Sequence, residues 1–110
     1  MKIVLLTCLN ATKICSAVAC FRALDARESY FERYCGNEVK VVALMHCNGC
    51  SCNIHSNNDF IEKFNTICKL EPDVVHIGKC AIQSGMKCEM MVAIGHDFIK
   101  NGIPIVWGTH

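Results

Sequence analysis

The 110-residue chain holds ten cysteines, 52% apolar residues and a formal net charge of +1. That apolar share supplies a hydrophobic core without help from disulfides and excludes a disordered chain. The near balance of 11 Lys+Arg against 10 Asp+Glu excludes a basic footprint for nucleic acid or for an acidic membrane surface.

Lys2–Thr7 (Ile3-Val4-Leu5-Leu6) predicts a first strand, with Cys8 immediately after it and Cys15 in the same loop. Ser16–Tyr34 carries a 3.6 period that places Ala17, Phe21, Leu24, Phe31 and Tyr34 near one face, and predicts a helix. Cys20 falls near that face and close to the helix start, between a core role and a ligand role. Glu38–Met45 predicts a second strand, followed by His46, Cys47, Cys50 and Cys52. Ser56-Asn57-Asn58-Asp59 has the form of a helix start, and Asn58–Leu70 places Phe60, Ile61, Phe64, Ile67 and Cys68 on one stripe. After Pro72, Asp73–Ile77 predicts a third strand, with Cys80 and Cys88 in the loop beyond it. Cys88–Lys100 predicts a third helix despite Gly95, ended by Asn101-Gly102. Ile103–Trp107 predicts a fourth strand, whose Pro104 suits a sheet edge, and His110 follows.

Short runs of β-branched residues suit strands buried on both faces. Their alternation with helices predicts one α/β domain over residues 1–110. Its core is a small, four-stranded, mostly parallel sheet flanked by helices, a three-layer sandwich of the flavodoxin or Rossmann kind. In a parallel sheet every strand-to-helix loop emerges at the same edge, where open α/β folds bind ligands. Seven cysteines (Cys8, Cys15, Cys47, Cys50, Cys52, Cys80 and Cys88) fall in such loops.

The apolar stretch Ile3-Val4-Leu5-Leu6 is shorter than the roughly 7–15 residues of a secretory signal. No run reaches the roughly 18 apolar residues of a membrane span. The expectation is therefore a cytoplasmic protein with reduced thiols and no membrane partner.

Thiolates crowded at one rim repel one another unless a cation neutralises them, and zinc and iron both do so through sulfur ligands. The CxxC spacing of Cys47-Asn48-Gly49-Cys50 lets one turn offer two sulfurs to one ion. The preferred ligands are Cys8, Cys47, Cys50 and Cys80, with Cys15 and Cys88 next; Cys20, Cys52, His46 and His110 complete the candidates. Zinc is the first choice, with iron or an iron–sulfur cluster as the alternative. Cys35 and Cys68 are read as structural, His76 as a satisfied core histidine, and His55 and His96 as surface residues.

Cys8, Cys15–Cys20, Cys47-Asn48-Gly49-Cys50, Cys80, Cys88 and the ending Gly108-Thr109-His110 together resemble the CGGC domain family over essentially the whole chain. Asn48 stands where the family motif has its first glycine, and Glu89-Met90 stand where members commonly carry Pro-His. The resemblance implies a metal-binding, zinc-type role, with a site here richer in sulfur than in relatives.

The alternative is a thiol–disulfide oxidoreductase in which Cys47 attacks and Cys50 or Cys52 resolves. Against it, the next helix start lies near Ser56–Asp59 rather than at the CxxC. A phosphatase-type Cys-x5-Arg loop fails because Ile14 occupies the arginine position. No GxGxxG or P-loop pattern supports a nucleotide site. Exposed edge strands on so small a sheet admit a homodimer.

Overall fold

The computed structural model describes residues 1–110. Strand β1 (Lys2–Thr7), helix α1 (Val18–Ala26), β2 (Lys40–His46), α2 (Asn58–Lys69), β3 (Val74–Ile77), a hairpin of β4 (Ile82–Gln83) and β5 (Met86–Lys87), α3 (Glu89–Lys100) and β6 (Ile105–Trp107) follow in order. The main sheet is parallel, in the order β2-β1-β3-β6.

Alternation along β1 divides the core. Ile3 and Leu5 join Ala17, Cys20, Ala23, Leu24, Phe31 and Tyr34 on the α1 side. Val4 and Leu6 join Phe60, Ile67, Met91, Ile94 and Phe98 on the α2 and α3 side. Successive side chains on a strand point to opposite faces, so a fully apolar strand demands cover on both. The three-layer α/β sandwich predicted from the sequence is the one observed.

The long helix predicted over Ser16–Tyr34 is instead two pieces. Arg27 and Ser29 turn left-handed, each at φ 54, and Ser29–Tyr34 continues as a 3-10 turn. The break lets Phe31 and Tyr34 fold back onto the sheet, while Phe21, expected on the buried face, is exposed. Gly95 weakens α3 in isolation but suits its packing on the sheet. A Cβ there would meet Ile105 Cδ1 at 2.8 Å, so its absence lets α3 lie close to the sheet. The last strand begins at Ile105 rather than Ile103, after Pro104, on the sheet edge where a residue without an N–H does least harm. No helix is long and apolar enough to cross a membrane.

The chain leaves β1 toward β2 on one side, then crosses to β3 on the other. The carboxyl ends of β1 and β3 therefore form a topological switch point, where the departing loops diverge and leave a crevice. Cys8 stands directly after β1, and Cys80 lies three residues beyond β3.

Candidate metal centre

The sheet ladder fixes the first positions of the rim. Beyond the last paired residues, the Cys47 N–H donates to Thr7 O at 3.1 Å and the Gly78 N–H to Leu6 O at 2.8 Å. Cys47 and the chain leading to Cys80 thus start from rigid backbone. The first two amides after β1 then turn to sulfur. The Cys8 N–H donates to Cys80 Sγ at 3.2 Å, and the Leu9 N–H donates to Cys47 Sγ at 3.3 Å. Three strands are tied together at one point by a pair of successive N–H groups. Asn10 adds an amide N–H to Cys50 Sγ at 3.7 Å.

A cleft of about 340 Å³ opens beside these contacts, lined by Cys8, Asn10, Cys50, Cys80, Ala81, Gln83, Met86 and Cys88. Four thiols from three loops therefore share one cleft that no carboxylate or imidazole lines. A smaller pocket of about 130 Å³ adjoins it, lined by Thr7, Cys8, Cys15, His46 and Cys80 among others. Cys8 and Cys80 belong to both. Burial pushes the Cys80 thiol above the usual range; the Cys8 N–H opposes that, while the neighbouring Cys8, Cys20 and Cys15 thiols add to it.

The other candidates lie elsewhere. Cys47 is 5% exposed and packs into the α2–α3 core beneath the rim, and Cys52 is half-buried against the same core. Cys88, in contrast, precedes α3 at its N-cap position and lines the cleft itself. Cys15 is exposed, its sulfur 3.4 Å from the Ala17 N–H. Cys20 is buried and bonds to Thr109 Oγ1 at 3.1 Å, which places it in the core behind the rim. His46 shares a hydrogen bond with Thr7 Oγ1 through Nδ1 at 2.6 Å. His110 lines a different cavity with Tyr30, Lys79 and Ile82. Cys35 is exposed; Cys68 is half-buried on the core, with its thiol pushed up by burial. His55 is exposed and 3.0 Å from Asp97 Oδ2.

His76 is the core histidine expected from its place in β3. Its Nδ1 lies 2.8 Å from Gly108 O, which can only accept, so Nδ1 carries the proton. Its Nε2 then accepts from the Tyr34 hydroxyl at 2.7 Å. Burial holds this ring below the ordinary histidine range; the Gly108 bond opposes that, and the Arg33 charge adds to it.

Sequence patterning did not single out Lys63. Its ammonium donates to His46 O at 2.6 Å and to Asn48 Oδ1, gripping the chain on both sides of Cys47. Burial lowers its pKa, and the nearby Cys47 and Cys52 thiols partly restore it. A lysine on a helix looks like an ordinary surface charge until the sheet brings the CxxC turn over it.

The donor chemistry of the cleft fits a thiophilic ion, since thiolates favour zinc, cuprous copper and iron–sulfur centres. The spacing is not that of a finished site: no three His, Cys, Asp or Glu side chains form a metal-holding group. All ten cysteines are free thiols.

No curated protein and no solved structure matches the chain. The family model of the CGGC domain matches residues 2–110, and the chain belongs to that family.

Proposed function

We propose that this CGGC-domain protein binds a thiophilic metal ion at the carboxyl ends of its strands, through Cys8, Cys50, Cys80 and Cys88. One observation carries the reading: four thiols, and no competing carboxylate, line a single cleft at the switch point of the sheet. Zinc is the first choice, because it accepts four thiolates and imposes no geometry of its own. Iron or an iron–sulfur cluster is the alternative. Cys15, across the shared wall formed by Cys8 and Cys80, is the reserve ligand. Cys47 and Lys63 hold the CxxC turn in place from beneath. Uptake draws the three loops together and releases thiol protons, so affinity rises with pH.

A thiol–disulfide exchange between Cys47 and Cys50 has one supporting observation, the Lys63 ammonium beside Cys47. Against it, Cys47 is buried and α2 begins only at Asn58, so no long helix starts at the pair.

Elemental analysis with an absorption spectrum on anaerobically purified protein tests the proposal. About one equivalent of metal is expected, colourless for zinc and with visible charge-transfer bands for iron. On chelation, Cys50 and Cys88 should become more reactive to alkylation. Folded protein that contains no metal and takes none up contradicts it.

A further inference from the structure

The loop between Cys80 and Cys88 contains a hairpin rather than irregular chain. Ile82 pairs with Lys87 and Gln83 with Met86, and Ser84 and Gly85 make the turn at φ 50 and 76. Two successive positive-φ residues characterise the tight turn that matches strand twist, and glycine takes such a conformation at no steric cost.

Pleating gives this hairpin two faces. The Ile82/Lys87 pair faces away from the thiols: Lys87 Nζ sits 4.7 Å from the Trp107 ring centroid at the end of β6, and Ile82 lines the cavity shared with Tyr30 and His110. That anchorage on β6 commits the other pair, Gln83 and Met86, to the cleft of Cys8, Cys50, Cys80 and Cys88. Met86 is 75% exposed, a position that core packing does not explain. Its thioether makes the sulfur donors of the cleft five.

Zinc gains little from a thioether, whereas cuprous copper binds thioethers and thiolates alike. A cuprous ion is also satisfied by only about two or three sulfurs, fewer than the five that line this cleft. Resting on the metal-binding reading above, we propose that the same cleft accepts monovalent copper in exchange for zinc, with Met86 as the ligand that favours copper. The exchange changes no oxidation state: the cuprous ion enters, Zn²⁺ leaves, and any thiolate freed takes up a proton from solvent.

The test is an anaerobic titration of the full chain and of Met86→Leu with cuprous ion, buffered by a chromogenic cuprous chelator. Parallel zinc titrations and a zinc-release assay on the zinc-loaded protein complete it. Met86 is exposed, so the leucine variant should fold, and circular dichroism checks this. The expected result is zinc release on adding cuprous ion, with cuprous affinity reduced about tenfold or more in Met86→Leu and zinc affinity unchanged within about twofold. Equal cuprous affinity in both proteins, or zinc retained against excess cuprous ion, overturns the exchange proposal and leaves the metal reading standing. A chain that takes up neither ion overturns both.

Discussion

Two sulfur-containing regions lie within a few residues of each other and could hardly differ more. Behind the sheet, on the α1 side, the Cys20–Thr109 pair and the Tyr34–His76–Gly108 chain form a buried set of hydrogen bonds in which every side-chain polar group has a partner. In front, Cys8, Cys50, Cys80 and Cys88 border an open cleft, where the Cys80 and Cys50 sulfurs each accept a single N–H at the longer distances sulfur allows. A cysteine's role is set by what the fold gives it: Cys20 has a hydroxyl and a closed core, while Cys80 has one amide and a cleft. The first region is finished by folding alone, and the second is left with unused donor capacity.

The largest expected effect breaks the buried hydrogen bonds of His76. His76→Ala removes a fully buried ring and strands both the Tyr34 hydroxyl and the Gly108 carbonyl. Chemical denaturation should show a loss of about 3–5 kcal/mol. The same ring gives a pH signature. Its native pKa lies below the ordinary 6.5, so below that pH the unfolded chain takes up a proton the native state refuses. Stability that is complete above about pH 6.5 should fall as pH drops below it, and His76→Ala should flatten that limb.

The reverse experiment disables the open region. Cys80→Ser replaces the thiol shared by both pockets. It should lower zinc affinity in a competition titration by about 10–100-fold, while the denaturation midpoint moves by less than about 1 kcal/mol equivalent. A stability loss as large as that of His76→Ala would erase the distinction between the two regions.

Lys63→Met sits between them. It frees the chain on both sides of Cys47 without touching the cleft thiols. The expected cost is about 1–2 kcal/mol, with faster alkylation of Cys47 and Cys52 resolved by mass spectrometry. Unchanged alkylation of Cys47 would show that Lys63 does not hold the turn. The smallest effect belongs to Cys35→Ser, on an exposed thiol outside both regions: stability within about 0.5 kcal/mol and unchanged metal uptake.

The skeleton of this arrangement is legible in the sequence because it rests on local pattern. The apolar runs Ile3–Leu6, Val41–Leu44 and Val74–Ile77 all form strands, but only the two central ones are covered on both faces; Val41–Leu44 lies on the sheet edge with Leu44 exposed. Parallel strands then carry the loops with Cys8, Cys47 and Cys80 to one edge. The break at Arg27 escapes because Phe31 and Tyr34 keep the helical spacing while packing onto the sheet from a 3-10 turn. The hairpin escapes because two-residue strands leave almost no alternation to read, although the Ser84-Gly85 pair is its trace. Lys63 escapes because its partners are a backbone carbonyl and an amide that meet it only in three dimensions. Cys20 is undecidable from periodicity, since Thr109, 89 residues away, settles its environment.

X-ray absorption at the metal edge of the loaded protein tests the central claim most directly. A cleft of thiols and one thioether should give a first coordination shell of sulfur alone, near 2.3 Å for zinc. A shell dominated by nitrogen or oxygen near 2.0–2.1 Å would place the ion on histidines or carboxylates and contradict a site built from Cys8, Cys50, Cys80 and Cys88.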